Sequence, residues 1–424
     1  MQKFRALAIR TTPLSRQLRF YKKLPHGQNS APFQDDLQAD PKYQSLNTMY
    51  SDMFTSNESL TDKNFPSKEN NSDQHVGFDD DIAAINQEIQ DFFEPSVSSQ
   101  DKTDFTLLNA AQLESLAKKD GKFVVQSLSN NPYFNLALED YIFESTPRPE
   151  DFSTNDYQNQ RLIFYINSKC CVIGKNQNPW KELYLENLKA QGIPFLRRRS
   201  GGGCVVHDLG NVNYSFLTSR KEFDKTFFNK LIVNSLKAND KDACTKDLKL
   251  NERGDITLNG YKVSGSAFKV AKNKSYHHGT MLISSALPQF KNLLKPDTVV
   301  GEQWDCNSVE SVRSHICNLK DHNVMSETDD FVQLISTSFK DHFSEGNESS
   351  EPVHIFQCDE SVSKIPEIKA TMEKLQSAEW KYEHTPRFNV TYNGGTWYQV
   401  EKGVIVDSYN KAQTGQHFAT AAKI

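Results

Sequence analysis

Residues 197–211 read RRRSGGGCVVHDLGN: three arginines, three glycines, a short apolar stretch and a His-Asp pair. Consecutive glycines let the backbone approach a ligand closely, because no Cβ atom stands in the way. Their N–H groups can converge on an anion, and the arginines offer fork-shaped donors suited to phosphate or carboxylate. No Gly-Lys-Ser/Thr follows, so the stretch is not a P-loop. It predicts a ligand-binding turn between two strands, although a flexible turn beside a solvated basic run fits these residues equally well.

A hairpin is predicted downstream, where Asp255–Leu258 and Tyr261–Val263 flank Asn259-Gly260. Asn-Gly is the strongest two-residue signal for a type I′ turn. Lys262 lies in the second of these strands, just before a Ser-Gly pair. A buried lysine there could act as a point charge on both a phosphate and a carboxylate oxygen. An exposed strand lysine is the ordinary alternative.

Histidines and cysteines do not indicate a metal site. His207-Asp208 follows the glycines, and adjacent His and Asp side chains more often fix a turn than share acid–base work. His277-His278 lie on a predicted strand, where neighbouring side chains point to opposite faces, so a ligand-contact role is favoured over zinc. The seven cysteines are an odd count without a Cys-x-x-Cys pair, which argues against a disulfide framework and a structural zinc site.

Composition and charge exclude several classes of protein. Hydrophobic residues make up 37 % of the 424 residues, below the ~45–50 % of an ordinary globular chain, which indicates a polar unfolded fraction. No stretch approaches the ~18 apolar residues that span a bilayer, so no membrane association is expected. Residues 1–34 carry seven basic residues and no acid, whereas residues 35–104 carry sixteen acids and four lysines. Against a net charge of −5, residues 105–424 are therefore neutral overall, which argues against a dedicated nucleic-acid binder.

These patterns predict four segments. Residues 1–29 are rich in arginine, free of acids and dotted with apolar residues, which is typical of a mitochondrial presequence; a basic tail without an address is the alternative. Residues 30–104 are acidic and polar and are predicted to be mostly disordered. Residues 105–345 carry the dense apolar periodicity of the main folded domain. Residues 352–424 are predicted to form a small C-terminal accessory unit after a polar linker.

The spacing of apolar residues predicts an α/β (α+β) fold with much antiparallel pairing. Helices are predicted at 135–143, 180–190 and 225–236. Strands are predicted at 161–165, 170–173, 212–217, 266–270, 279–282, 388–392, 397–400 and 404–408. The first two strands read as a hairpin-like pair, and the last three look like a meander.

Six motifs occur in order along the chain, and together they are far more specific than any one alone. They are Asn135–Glu139 (NLALE), Gly174–Trp180 (GKNQNPW), Arg197–Asn211, Lys262–Ala267, His277–Thr280 and Ser311–Ser314. This set resembles the lipoate-protein ligase A family. The resemblance is strong over about residues 124–325 and persists more weakly to about residue 408.

The resemblance implies a catalytic fold shared with biotin protein ligases, a mixed, largely antiparallel sheet flanked by helices. It implies activation of lipoate or octanoate with ATP and Mg²⁺ to an acyl-adenylate, and transfer of the acyl group to a lysine of a lipoyl domain. Such domains occur in the acyltransferase subunits of 2-oxoacid dehydrogenases and in the glycine-cleavage H protein. The implied location is the mitochondrial matrix, in agreement with the predicted presequence. A monomer is expected, without nucleic-acid or membrane partners.

The resemblance also implies roles for single residues by motif position. Lys262 resembles the lysine that contacts the acyl carboxylate and the α-phosphate, where a fixed cation lowers the barrier. Asp255 resembles an acid near the reacting centre that could orient Mg²⁺ or the incoming lysine amine. Nucleotide binding is implied for Lys262 with Arg198, Gly203, Cys204, Val205 and Val206. Acyl binding, in an apolar pocket, is implied for Lys262 with Gly201, Gly202, His207 and His278.

Three features depart from the family pattern. Cys204 stands where bacterial ligases commonly have alanine; a small buried residue is the expected role, and a nucleophile forming an acyl-thioester is the alternative. The acidic segment is not part of the pattern. The C-terminal unit is expected to be shorter than the bacterial accessory domain, which could suit an ATP-independent acyltransferase using acyl-CoA or lipoylated or octanoylated H protein.

A non-catalytic lipoylation assembly factor is the alternative of another class, and biotin ligase ranks lower because its usual Gly-Arg-Gly-Arg-type loop is absent.

Overall fold

The computed structural model describes residues 105–148, 157–344 and 353–421. The predicted presequence (1–29) and acidic segment (30–104) lie outside the described residues and stay predictions. Within the described ranges, no helix combines the length and the apolar character needed to cross a membrane. The same ranges hold no group of three or more His, Cys, Asp or Glu side chains suited to a metal ion.

The first half of the described chain alternates strands and helices. Its helices are α1 (Ala110–Lys118), α2 (Pro132–Ser145), α3 (Pro179–Glu182), α4 (Leu185–Ala190) and α5 (Phe227–Asn239). Its strands are β1 (Thr106–Leu107), β2 (Phe123–Ser127), β3 (Arg161–Ile166), β4 (Cys170–Ile173), β5 (Phe195–Arg197), β6 (Val205–His207) and β7 (Asn211–Ser219).

The second half is richer in strands. They are β8 (Lys249–Leu250), β9 (Ile256–Leu258), β10 (Tyr261–Ser264), β11 (Ser266–Ala271), β12 (Lys274–Leu282), β13 (Glu302–Cys306), β14 (His354–Cys358), β15 (Phe388–Tyr392), β16 (Trp397–Glu401) and β17 (Val404–Ser408). Its helices are α6 (Thr328–Ser344), α7 (Pro366–Gln376) and α8 (Phe418–Ala421), with a π-helical turn at Glu379–Glu383.

A seven-stranded sheet in the order β1-β14-β2-β3-β7-β12-β11 forms the centre of the fold. The pairs from β1 to β3 are parallel, and those from β3 to β11 are antiparallel. Three smaller sheets are β10-β9-β8, β13-β15-β16-β17 and β5-β4-β6. Antiparallel pairs outnumber parallel pairs nine to four over the described sheets, as the sequence predicts.

Helices cover the central sheet on both faces. In β3, Leu162 and Phe164 join one hydrophobic core with α5 and α6, whereas Ile163 and Tyr165 join a second core with α1, α2 and α7. This division follows from the strand period of two, which sends successive side chains to opposite faces. Every residue of β7 is buried, because both faces of that strand are covered.

Two local predictions are wrong. Strands 161–165 and 170–173 do not pair: β3 lies in the central sheet, while β4 pairs with β5 and β6. Cys171 and Ile173 pack with those two strands in a separate apolar cluster, which the sequence pattern does not distinguish from a hairpin. The predicted helix 180–190 is divided into α3 and α4, because Leu183 leaves the helix to bridge Leu294.

Two buried cations hold the ends of the first helices. The Arg161 guanidinium donates to the carbonyl oxygens of Ala117 (2.7 Å) and Lys119 (2.6 Å) at the end of α1. The Lys274 ammonium donates to the carbonyl oxygens of Phe143 (2.5 Å) and Thr146 (2.5 Å) at the end of α2. The last carbonyls of a helix lack intrahelical partners and favour positive charge. These contacts therefore join α1 and α2 to β3 and β12.

The C-terminal residues are interlocked with the rest of the chain. The predicted meander is confirmed as β15, β16 and β17, and β13 adds a fourth strand from before the polar linker. Conversely, β14 follows the linker and lies between β1 and β2 of the central sheet. The central sheet thus contains β14, which follows residues 345–352, and the four-stranded sheet contains β13, which precedes them. The accessory unit 352–424 stays a proposal about domains, and it is not confined to one sheet.

Replacing Lys274 by methionine tests the role of the buried cation. The variant keeps a similar side-chain volume but leaves carbonyls of α2 without a donor, so the free energy of unfolding should fall by about 2–4 kcal/mol in urea titrations. Lys118→Met is the matched control, because the Lys118 ammonium is half exposed and pairs with Glu114 on its own helix. Equal stability of the two variants would contradict this account.

Candidate active site

The predicted Asn-Gly hairpin is confirmed, and it carries the lysine that the sequence singles out. β9 and β10 pair antiparallel, and Asn259 (φ 53°) and Gly260 (φ 84°) both adopt the left-handed conformation that a type I′ turn requires. The Lys262 ammonium lies 3.0 Å from Asp255 Oδ2. Its side chain is 21 % exposed and that of Asp255 is 8 % exposed, so the pair is largely desolvated but reachable from solvent.

The backbone around Lys262 is held on both sides. Its N–H donates to the carbonyl of His315 (2.8 Å), and its carbonyl accepts from Cys317 N–H (3.2 Å). A Cβ atom on Gly265 would lie 3.1 Å from Lys262 Cε and 3.3 Å from Nζ, so the lysine side chain crosses over the bare backbone of that glycine. Thr280 Oγ1 accepts from Gly265 N–H (3.2 Å) and fixes this crossing point on β12. The Ser-Gly pair after Lys262 therefore makes room for its side chain.

A cleft with about 830 Å³ of empty space, its open mouth included, lies against Lys262. Its polar lining is Lys262, Ser264, Thr280, Ser311, Arg313 and Ser314, and its apolar lining includes Val205, Val206, Leu282, Phe290, Leu294 and Ile316. A cation beside hydroxyls and apolar side chains suits a ligand with an anionic group and an apolar or aromatic part.

Four of the six residues predicted to bind nucleotide line this cleft: Cys204, Val205, Val206 and Lys262. Gly203 packs behind them, since a Cβ atom there would come within 3.0 Å of Ser311 Cα. The fold thus brings the end of the glycine turn, the hairpin and the Ser311–Ser314 segment together around one space.

The first two arginines of the run are buried and point into the protein. Arg197 is fully buried, and its guanidinium joins the turn after β4 to the C-terminal segment. Its acceptors include the carbonyls of Lys175, Gln177, Trp380 and Lys381 and Thr385 Oγ1. Burial lowers the pKa of Arg197 to about 10, so the group stays charged at neutral pH. It is a structural link between two segments.

Arg198, predicted to bind nucleotide, is also turned inward. It is 5 % exposed, and its guanidinium donates to Ser200 Oγ and to the carbonyls of Val172, Gly201 and Gly203. Because these donors are engaged by its own chain, Arg198 holds the shape of the glycine turn in this structure, and its nucleotide-binding role stays a prediction. Sequence reasoning could not foresee this, because an arginine before glycines can face either the ligand or the backbone.

The residues predicted to bind the acyl group lie around the glycine turn. Gly201 faces open space, whereas a Cβ atom on Gly202 would lie 2.9 Å from an Arg198 nitrogen. His207 and His278 are buried and belong to hydrogen-bond networks outside the cleft lining. Burial, with the charges of Arg198 and His278, lowers the pKa of His207 to about 3, so this ring is neutral.

Ser311 joins three segments of the site, a role that sequence reasoning missed although its motif was noted. Its Oγ accepts from Cys204 N–H (2.8 Å) and from Gln177 Nε2 (3.0 Å), and it donates to the buried Glu182 carboxylate. Arg313 lies 3.7 Å from the same carboxylate and lines the cleft. Ser311 and Gln177 each lie in one of the six sequence motifs, and this was the one sequence clue that the two residues meet.

Cys204 is a small, partly buried residue that lines the cleft. Burial raises the pKa of its thiol well above the ordinary value, and neighbouring Cys171 and Glu182 raise it further. The reactive form of cysteine is the thiolate, which is scarce when the pKa is high. The environment therefore favours the packing role over the acyl-thioester alternative.

Comparison with known proteins establishes the family. The profile of the lipoyl protein ligase A/B catalytic domain matches residues 131–340. A Saccharomyces cerevisiae protein provisionally named lipoate-protein ligase A is 42 % identical over 383 residues, covering 90 % of this chain and 88 % of that protein. The chain belongs to the lipoate-protein ligase family.

Two further proteins are similar to this member of the lipoate-protein ligase family. The human protein named lipoyl amidotransferase LIPT1, mitochondrial, is 32 % identical over 296 residues, covering 68 % of this chain and 73 % of that protein. The crystal structure of P. falciparum LipL1 in complex with lipoate superposes with a TM-score of 0.51 at 28 % identity, covering 67 % of this chain and 83 % of that chain. The predicted fold is confirmed, and the chain is an enzyme of the ligase or transferase kind.

The reactivity of Cys204 tests the environment of the thiol. Iodoacetamide should alkylate Cys204 at pH 7.5 at least about tenfold more slowly in the folded protein than in urea, because each unit of raised pKa lowers the thiolate fraction tenfold. The rate should keep rising as the pH passes 9. The alkylation rate is measured by peptide mass spectrometry, with Cys204→Ala as the blank. Rapid alkylation at neutral pH would restore the nucleophile alternative.

Proposed function

We propose that this enzyme attaches lipoyl or octanoyl groups to the target lysine of lipoyl domains by way of an acyl-adenylate formed from ATP. The observation that carries the proposal is the Lys262 ammonium, fixed 3.0 Å from Asp255 on the wall of the cleft. A cation held there can stabilise negative charge that develops between two anionic reactants. The lipoate bound in the LipL1 crystal structure supports lipoate as a substrate.

In the first half-reaction, the carboxylate oxygen of the fatty acid attacks the α-phosphorus of ATP. The bond from that phosphorus to the pyrophosphate oxygen breaks, giving acyl-adenylate and pyrophosphate. Lys262 lies against the carboxylate and the α-phosphate and reduces their mutual repulsion. The neighbouring Val205 and Val206 provide apolar surface for the nucleotide base.

Asp255 also fits a role beside Mg²⁺. Magnesium sites commonly use one or two carboxylates together with substrate phosphates and water, and Asp255 supplies one carboxylate next to the cleft. When bound, the ion would neutralise charge on the nucleotide phosphates. Asp255 Oδ2 meanwhile orients the Lys262 ammonium.

In the second half-reaction, the amine of the target lysine attacks the acyl carbonyl. The bond from the carbonyl carbon to the phosphate oxygen breaks, AMP leaves and an amide forms. Lys262 polarises the carbonyl through its charge, and Asp255 is the carboxylate situated to accept the proton that the amine loses. One lysine–aspartate pair thus serves both steps.

We propose the mitochondrial matrix as the location and a monomer as the working form. The predicted presequence and the similarity to a human protein whose name includes mitochondrial support this location. The proposed targets are lipoyl domains of 2-oxoacid dehydrogenase acyltransferase subunits and the glycine-cleavage H protein.

An ATP-independent acyltransferase is the second candidate. The similarity to human lipoyl amidotransferase favours it, as does the inward orientation of Arg197 and Arg198, which leaves fewer cations for a triphosphate. Its donor would be acyl-CoA or acylated H protein, and the second half-reaction would proceed with thiol or lysine as the leaving group. The non-catalytic assembly factor is not supported, since the chain belongs to a family of enzymes.

Acylation of purified apo lipoyl domain and apo H protein distinguishes the candidates. Octanoate with ATP and Mg²⁺ is compared with octanoyl-CoA and with octanoylated H protein, and products are detected by mass spectrometry. Product that requires ATP and is accompanied by AMP supports the ligase. Product without ATP supports the acyltransferase, and absence of product from every donor overturns both.

Lys262→Ala tests the central residue. Acyl transfer should fall by at least about 10²-fold, because a preorganised charge at the reacting atoms is lost. The variant should still fold, with some loss of thermal stability because the buried Asp255 carboxylate loses its cation, and its folding is checked by circular dichroism at the assay temperature. Lys272→Ala is the matched control, as the Lys272 ammonium is half exposed and pairs with Glu144 on the surface. A wild-type rate for Lys262→Ala would remove this lysine from the mechanism.

Gly265→Ala tests the path of the lysine side chain. The added methyl group would press on Cε and Nζ of Lys262 and displace the ammonium, so the rate should fall by roughly 10–100-fold. The methyl group presses only on the flexible Lys262 side chain and lies at ordinary contact distance (3.6 Å) from Thr280 Oγ1, so the melting temperature should stay near that of the wild type. Steady-state kinetics and calorimetry measure both quantities. Loss of stability in proportion to activity would indicate a packing role instead.

A further inference from the structure

A continuous chain of buried hydrogen bonds runs from helix α2 to the glycine turn. Glu139 Oε1 lies 2.8 Å from His278 Nδ1, His278 Nε2 lies 2.7 Å from Ser200 Oγ, and Ser200 Oγ accepts from Arg198 Nε at 2.9 Å. The exposed fractions of the four residues are 2 %, 7 %, 2 % and 5 % in that order. Three of the six sequence motifs therefore meet in one network, which we call the Glu139–Arg198 network.

The Glu139 end of this network carries a negative charge inside the protein. Tyr165 Oη and Ser215 Oγ donate to the carboxylate at 2.9 and 3.1 Å. Burial alone would raise the pKa of Glu139, but the charge of His278 and these hydrogen bonds hold it below the ordinary value. A buried carboxylate needs a compensating cation. Burial lowers the pKa of Arg198, and Glu139 is the last of several neighbouring groups that raise it again, so the guanidinium is one of the positive charges near the carboxylate.

The Arg198 end sets the orientation of the glycine turn. Its Nη2 donates to the carbonyl oxygens of Gly201 and Gly203, both at 2.7 Å. In a planar trans peptide the C=O and the following N–H point in opposite directions. Drawing these carbonyls toward Arg198 therefore turns the N–H groups of Gly202 and Cys204 away from it. Cys204 N–H is accordingly found on Ser311 Oγ, on the cleft side.

We infer that Glu139 and Ser200 are positioning residues, which act through His278 and Arg198 to hold the glycine turn in the shape that receives the acyl donor. Neither residue contacts the donor in this account. The role in catalysis rests on the proposed function, whereas the effect on the turn itself can be measured without any activity.

The same distances resemble a Ser-His-acid arrangement for nucleophilic catalysis. Ser200 differs from such a nucleophile because it is 2 % exposed and already accepts a hydrogen bond from Arg198. The arrangement suits a fixed support and leaves the hydroxyl no path to a carbonyl carbon.

Glu139→Gln and Ser200→Ala test this role in the full chain. Each substitution removes one hydrogen bond of the Glu139–Arg198 network and nearly preserves the volume of the side chain. The glycine turn should then occupy its binding conformation for a smaller fraction of the time, and the apparent affinity for the donor falls in proportion to that fraction. We expect KM for octanoyl donor to rise about tenfold, with kcat changing less than about threefold. Amide hydrogen exchange across residues 200–206 should accelerate about tenfold. Ser200→Ala, which removes a single oxygen, keeps the test valid if Glu139→Gln folds poorly.

Glu144→Gln is the matched control on the same helix. Its carboxylate is partly exposed and pairs with Lys272 and Lys269, so both readouts should match the wild type. Wild-type KM and exchange in both test variants would overturn the inference. A loss of kcat in Ser200→Ala, with an acyl adduct on Ser200 in the wild type, would replace it by a covalent role. If the wild type transfers no acyl group, the proposed function fails, while the exchange measurement still decides whether the network positions the turn.

Discussion

The Lys262–Asp255 pair is the interaction on which the organisation of the site depends. A strand lysine is normally solvated, and this one is kept largely buried by an aspartate 3.0 Å away and by a glycine that lets its side chain pass. The hairpin turn fixes the register of β9 and β10 and so brings Asp255 and Lys262 together. The segment around Ser311 then completes the cleft, and its serine is bound to the glycine turn and to Glu182. A preorganised cation of this kind loses little energy to reorganisation during the reaction.

The arginine run shows how buried charge can support the backbone around a site. Arg197 joins the turn after β4 to residues 380–385. Arg198 gathers carbonyls of the glycine turn, and Arg199 contacts Asp140 on helix α2 at 3.4 Å. The C-terminal segment is therefore linked to the turn by a buried guanidinium and by strands shared across the linker. A large swing of this segment would break several buried hydrogen bonds at once.

Much of the fold could be predicted from the sequence wherever a local signal has one physical meaning. Asn259-Gly260 specifies a type I′ turn, and the C-terminal turns specify the meander, so both were predicted correctly. Lys262 and Cys204–Val206, which the motifs assign to one ligand, line the same cleft, and their roles stay predictions. The pairing of β3 with β4 and the continuous helix 180–190 were predicted wrongly, because both depend on distant partners such as β5 and Leu294. The inward direction of the Arg198 side chain and the hydrogen bonds by which Ser311 joins three segments depend on tertiary contacts. No spacing along the chain encodes such contacts.

The most direct measurement is single-turnover transfer of the octanoyl group from preformed octanoyl-adenylate to apo lipoyl domain, with the wild type and Lys262→Ala compared by rapid quench. If one lysine serves both half-reactions, the variant should be slow in this isolated second step as well as in adenylate formation. Transfer at the wild-type rate by Lys262→Ala would contradict the account, because it would confine the lysine to activation and leave the transfer step to other residues.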